Sequence, residues 1–535
     1  MKKIIYLSLA LLSIGTFTQC TKPTKDFSFS VNPNPFDYTL NLNFYDAATP
    51  GTPPPNVTLT ISGKDADAVY DISGVKQYKV VSGLTSLGLL YKNDPTQGNP
   101  ATFTIKASAP GYLDAIIPVT IKVGQPVKLI NVSMINLTNP PAGVNVQQTT
   151  TPLTNGNTTS NVVIPPPASA APGDQVVTIE IPSGTGFKDE SGNVLTGGTL
   201  SSTVVSFGST TASSLNAFPG GTSSDNIKDQ NGNTVSGLFR TGGFANITMA
   251  VGSTQVKTFT NPITLHMGVS SSQINPATGN LFQAGDQIPV WSYQTSTGQW
   301  SYEKIGTVSI GANGLEVNFT TTHLTYYNLA VMENVCSNAS IVFNTNLPSA
   351  ETFLVDVYEA NDPNIPVIAG FLVQAANGQT VAFDNVPTAS DLKVKVYRNT
   401  VANSQTNFAV RDGSPIGTYT GALCGGGSSI NCVVPQSQTI NFNIQGQCPS
   451  SSMNPIVRPT VGVFYRQAGS NSAYQFLGQV NQGYFSTSNL SLNNTYDFKV
   501  IWQANSVYLK TRVVDSANYQ RTVVVPDDQI AVFCN

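Results

Sequence analysis

Val308-Ser-Ile-Gly-Ala-Asn-Gly-Leu-Glu-Val-Asn-Phe319 reads as two short strands around a tight turn. Val308 and Ile310 on one side, and Leu315, Val317 and Phe319 on the other, alternate with polar residues, the period of a strand with one buried face. Asn313-Gly314 between them supplies residues that tolerate the positive φ of a two-residue hairpin turn. The same pattern recurs along the chain. Val176–Pro182 alternates and is followed by a turn at Asp189–Gly192; Ile116, Ile117, Val119, Ile121 and Val123 lie in an apolar run before Val132–Met134. Further on come Phe353–Tyr358, a turn at Asn377-Gly378, Val381–Pro387, Val461–Tyr465, Tyr496–Trp502 and Arg521–Val525. With 45 glycines and 34 prolines punctuating Val-, Ile-, Thr- and aromatic-rich runs, and no convincing helical period beyond the N-terminus, the expectation is an all-β chain.

At 535 residues the chain is long enough for several domains, each with its own core. Only 10% of residues are charged, against about 25% in average soluble proteins, so hydroxyls and amides solvate the surface. A net charge of -3 without Lys or Arg clusters gives no electrostatic footprint for nucleic acid. The two histidines, His266 and His323, lie 57 positions apart, and there is no Cys-x-x-Cys pair, phosphate loop or nucleophile elbow. Neither a metal nor a cofactor is expected. Paired carboxylates for glycoside hydrolysis have no recognisable setting among so few acids.

The chain starts Met1-Lys2-Lys3, continues through an apolar run from Ile4 to Phe17 and reaches Cys20. A basic start, a short apolar core and an early cysteine make a secretory signal too short to be a membrane span. The pattern resembles a bacterial lipoprotein signal of the looser Bacteroidetes type, since Thr18 and Gln19 depart from the strict small-residue box. The resemblance implies lipidation of Cys20, which would become the first residue, and attachment to the membrane through that lipid in the cell envelope, at the outer membrane. Thr21–Asp26 lacks the acidic run that would argue for export to the outer face. The expected layout is a signal at 1–19, a tether at 20–25, a β-module at 26–136, a Thr- and Pro-rich linker at 137–173, a central β-domain at 174–335 and two β-sandwich modules at 336–447 and 448–535. The end of the first module, from Ala109-Pro110-Gly111-Tyr112 onward, resembles carboxypeptidase-regulatory and immunoglobulin-like modules. The fold expected is therefore several immunoglobulin-like β-sandwich modules in a row.

Five cysteines follow Cys20, all in the last two-fifths of the chain. An exported protein meets an oxidising compartment. The spacing suggests a bridge between Cys424 and Cys432 across a Gly-rich loop and another between Cys448 and Cys534 at the ends of the last module, leaving Cys336 unpaired. An odd number also admits arrangements that sequence does not resolve.

In the central region Phe218-Pro219-Gly220, then Trp291, Gly298, Trp300 and Gly306, then Thr322-His323-Leu324-Thr325 occur in order. The set resembles the extracellular region of cartilage intermediate layer proteins and the autoproteolytic GAIN module of adhesion receptors, whose cleavage motif reads as tryptophans around a glycine followed by His-Leu-Thr. The second resemblance implies self-cleavage between Leu324 and Thr325. Alternate residues of a strand share a face, so His323 would take the proton of the Thr325 hydroxyl as it attacks the Leu324 carbonyl. The flanking cysteines of that motif are missing; Phe319 and Thr321 occupy two of their places. The competing expectation is an ordinary closing strand. Trp291 and Trp300 read as core filling before they read as a sugar platform. Asp229, Asn231, Gly232 and Asn233 suggest part of a calcium loop, but its twelfth position would be Arg240 where a bidentate Glu is required, so a hairpin turn accounts for them. Turn chemistry likewise accounts for Asp189, Glu190 and Asn193.

The function expected is a non-catalytic interaction, adhesion or structural module with a protein or glycan partner. The alternatives are self-processing at Leu324–Thr325 and a glycan-binding lipoprotein of a nutrient-uptake system.

Overall fold

The computed structural model describes residues 30–31, 36–447 and 456–524, leaving aside 73, 172, 219–220, 296, 337, 348, 361, 390, 401–410, 412, 435–438 and 504–505. The protein is all-β, a succession of sandwich modules. The expected signal segment and Cys20 lie outside the described residues, as do Cys448 and Cys534.

The first module stacks a four-stranded sheet on a three-stranded one. Tyr38–Asp46 sits inside the larger sheet, antiparallel to Leu84–Leu89 and parallel to Val127–Met134. Leu40, Leu42 and Phe44 alternate into the core against Phe103, Ile105 and Val119 of the smaller sheet. The third module repeats the arrangement with Glu351–Tyr358 at its centre, flanked by Ile368–Ala375 and Leu392–Arg398.

The central domain is one continuous run of strands folded over on itself. Gln299–Gly311 makes the fold: its first part pairs with Gln287–Gln294 in one layer, and its second part pairs with Gly314–His323 in the other. The Asn313-Gly314 turn closes that second pairing, with Gly311 opposite Gly314. Between the layers lies an aliphatic core including Ile179, Leu265, Val308, Val317 and Leu329. The outer face of the layer that holds Gln287–Gln294 carries an aromatic cluster in which Trp300 is wedged between Phe239, Phe244 and Tyr293. Leu113, Ile116 and Ile135 of the first module cover this cluster.

Two expected boundaries move. Val144–Pro152, within the expected linker, pairs with Thr199–Phe207 along its whole length, and Val162–Ile164 pairs with Val177–Ile181. The stretch is therefore a polar edge of the central domain: Val144 and Ile164 point inward while Gln and Thr meet solvent. Ile440–Gln447, assigned from sequence to the third module, pairs with Tyr484–Thr487 and in parallel with Asn518–Val524, so it belongs to the last one. Ser30–Val31 adds to the same sheet beside Ile456–Val457, which places these two residues in the final module.

The cysteine expectation is corrected as well. Cys336 is not left over: it is bonded to Cys424, with Cα atoms 5.9 Å apart, and among the described residues Cys432 is the free thiol, and it is buried. Ser428–Cys432 runs parallel to Ser340–Thr345, and its alternation turns Ile430 and Cys432 into the core together, away from the loop that carries Cys424. Burial pushes the Cys432 thiol up to about 12, so it stays protonated and inert.

Candidate functional site

His323 ends the strand Gly314–His323, and Tyr326 begins the strand Tyr326–Cys336. These strands belong to different layers, so Leu324 and Thr325 form the crossing between them. Leu324 is held there by its amide, which donates to the Lys257 carbonyl at 2.8 Å.

The crossing separates the two groups expected to cooperate. The Thr325 hydroxyl donates to the Tyr293 carbonyl. The His323 ring faces elsewhere: Nε2 lies 3.4 Å from Glu303 Oε1, and Nδ1 lies 3.3 Å from the Thr321 hydroxyl. That hydroxyl is in turn 2.6 Å from the Tyr327 phenol. Glu303 also accepts from the Ser292 hydroxyl at 2.5 Å. The His323 hydrogen bond, helped by Ser292, holds the Glu303 carboxyl below its ordinary value against the opposing effect of burial. The expectation that His323 and Thr325 share one strand face is therefore corrected. A general base must lie within hydrogen-bond reach of the proton it removes, and in this arrangement the imidazole is committed to Glu303 and Thr321.

A cleft of about 770 Å³ opens over this corner, between the first module and the central domain. Its charged lining comprises Lys106 and Asp114, paired at 2.7 Å, together with Asp189, Glu190, Lys257, Glu303 and His323. The Glu303 partner of His323, and Ser292 behind it, were not legible in sequence, because they come from two other strands whose register only the folded sheet defines. His266 sits apart on Thr258–Gly268, the neighbouring strand of the same layer, 3.4 Å from Glu316 and 3.5 Å from Glu180.

Other candidates resolve into local structure. Trp291 is buried and donates its indole N–H to the Ala330 carbonyl at 2.8 Å, and Trp300 is fully enclosed, so neither offers a face to a sugar. Asp229 accepts from the amides of Asn231 and Asn233, capping the turn between Ser223–Lys228 and Thr234–Val251. Asp189 does the same for Asn193. Among the described residues no group of three or more His, Cys, Asp or Glu is placed to hold a metal, and no helix is long and apolar enough to cross a membrane.

Sequence reasoning missed the joints between modules. Asp384 of the third module lies 3.0 Å from Lys122 and 2.8 Å from Lys128 of the first. Arg240 of the central domain meets Asp362 of the third at 2.6 Å, with Glu359 at 3.9 Å and Glu333 at 4.0 Å. Glu351, enclosed between the third and last modules, accepts from Thr487 at 3.0 Å, Asn489 at 2.9 Å and the Ser488 hydroxyl at 2.9 Å. Lys499 of the last module donates to the Ser82 carbonyl of the first at 3.0 Å. The signal was present: in a chain with so few charges, single acids and bases inside apolar runs such as Leu-Phe-Arg240-Thr and Ala-Phe-Asp384-Asn stand out.

No protein-family model matches the chain, and no curated protein matches it. Among solved structures, the shaft pilin SpaA of Lactobacillus rhamnosus GG is similar at 10% identity and a TM-score of 0.14, over 35% of this chain and 98% of that one. The major pilin subunit BcpA of Bacillus cereus is similar at 7% identity and 0.13, over 74% and 98%. A streptococcal ancillary pilin is similar at 10% and 0.14, over 46% and 94%. Likeness at this level carries no argument about function.

Proposed function

We propose that this is a lipid-anchored cell-envelope protein acting as a non-catalytic structural and adhesive module. The observation that carries the reading is the set of buried polar joints between modules. Sandwiches joined only by tethers would move independently, whereas here Glu351, Asp384 and Arg240 each tie one module to another through charged or multiply hydrogen-bonded groups, and the Cys336–Cys424 bridge adds a covalent tie. A rigid assembly presenting hydroxyl- and amide-rich loops suits holding and displaying better than turnover. The proposed anchor is the lipid on Cys20.

The test combines fatty-acid labelling in cells with intact mass. Wild-type chain should take up an alkyne fatty acid and Cys20→Ala should not, while the purified protein should show one mass for the whole chain after residue 19. Unlabelled wild type would remove the anchor. Two fragments meeting at Leu324 and Thr325 would replace the non-catalytic reading with self-processing, a reaction that the Thr325–Tyr293 hydrogen bond argues against.

A further inference from the structure

A second cleft, of about 600 Å³, lies where the first, third and last modules meet. Its volume is that of an ordinary small-ligand site. Its polar lining is dominated by side-chain amides: Gln374 and Gln379 from the third module, and Gln479, Asn481 and Gln482 from the last. Two charged side chains reach it. Lys128 is bound to Asp384 at 2.8 Å and to the Thr120 carbonyl at 2.6 Å, and Asp37 is hydrogen-bonded to Asp94. Lys128 is therefore already neutralised, the exposed Asp37 would repel an anion, and the other polar groups left to recognise a ligand are neutral.

One further observation narrows the ligand. At the rim, Tyr484 is 53% exposed, and the Arg458 guanidinium sits 4.8 Å from its ring centroid. The arginine orients the ring from one side, leaving an aromatic surface beside a row of amides.

We infer that this three-module cleft binds a neutral oligosaccharide, with Tyr484 stacking on a sugar ring and the accessible amides Gln374, Asn481 and Gln482 meeting its hydroxyls. Many hydroxyl donors, apolar C–H faces and no charge are what this lining complements. An extended peptide would be held chiefly by a free strand edge or an apolar pocket. The inference rests on the interaction-module reading above and names its partner class. It also explains why the joints matter, since the cleft exists only while three modules keep their relative positions.

The test is calorimetric titration of the purified full chain with short linear oligomers of glucose, xylose, mannose and N-acetylglucosamine. Oligogalacturonate and an extended neutral peptide are run in parallel. At least one neutral oligomer should bind, and Tyr484→Ala, an exposed position that leaves the fold intact, should weaken it at least about tenfold. Four results overturn the site: no neutral oligomer binding, binding confined to oligogalacturonate, binding confined to the peptide, or binding that Tyr484→Ala does not change. Recovering the oligomer after incubation separates the two readings. An oligomer that binds through Tyr484 but returns shortened keeps the glycan site and sinks the non-catalytic reading. Intact oligomer with no dependence on Tyr484 does the reverse.

Discussion

Two charged joints hold the third module, one to the first module and one to the central domain, and their stoichiometries are inverted. At the first, a single carboxylate, Asp384, faces two ammonium groups, Lys122 and Lys128. At the second, a single guanidinium, Arg240, faces Asp362, Glu359 and Glu333. Burial acts alike on the carboxyls at both joints, raising their pKa, and the neighbouring charges then drive the two in opposite directions. At Asp384 the paired lysines outweigh burial and hold the carboxyl below its ordinary value. At Glu333 burial is reinforced by the hydrogen bond and charge of Glu359, Arg240 offsets them only in part, and the carboxyl is pushed up to about 8. A surplus of cations makes a joint that needs its acid ionised, and a surplus of acids makes one that needs a proton.

The two joints should therefore fail at opposite ends of the pH scale. Asp384 has a lowered folded pKa, so its contribution is present above about pH 4 and is lost as pH falls through the folded value. Glu333 has a raised one, so the folded state holds an extra proton between about pH 4.5 and pH 8. Its contribution is complete below that window and is lost as pH rises through it.

The most damaging way to break this comparison is Arg240→Met, which leaves three enclosed carboxyls without their cation. Removing one partner of a buried ionic group costs about 3–5 kcal/mol. A chain of several modules does not unfold in one step, so the readout is amide exchange in the third-module strand Glu351–Tyr358. Loss of protection confined to the central domain would contradict the assignment. A gentler intervention sharpens the comparison: Glu333→Gln keeps the shape and removes the ionisation. At pH 9 the variant should be more stable than wild type by about 1–3 kcal/mol, with no difference at pH 5, and a difference of equal size at both would mean that the proton is not involved. The smallest effect is expected from Asp384→Asn. The lysine heads keep a fifth or less of their side-chain surface exposed, 19% and 16%, enough to recover some hydration, so the loss at pH 7 is about 1–2 kcal/mol. It should vanish in strong acid, where wild-type Asp384 is protonated; persistence there would show a packing defect.

The strands were legible wherever they carried their own pattern. The hairpin at Asn313-Gly314 was readable because a two-residue turn and alternation on both sides are local properties. Trp291 and Trp300 were readable as core because large aromatics in a sandwich have few other places to go. Val144–Pro152 was not, since a half-exposed edge strand of Val, Gln and Thr has the composition of a linker until its partner, Thr199–Phe207, is beside it. Ile440–Gln447 was read as the end of one module because Cys448 marked the boundary, yet its hydrogen bonds go to Asn518–Val524, far along the chain. The His323 site divided in the same way. The histidine and the threonine were picked out by the resemblance of Thr322-His323-Leu324-Thr325 to an autoproteolytic motif, but the crossing between layers at Leu324–Thr325 turned the threonine to Tyr293 and the imidazole to Glu303.

Period, turn chemistry and composition by themselves determined that the chain is β, modular and charge-poor, because each acts over a few residues. Tertiary structure decided which cysteine met which, where each module ended, what His323 touched and how the modules were tied together. Those outcomes depend on strand register and on the approach of residues tens to hundreds of positions apart, such as Ser82 and Lys499, and local sequence carries no information about such distances.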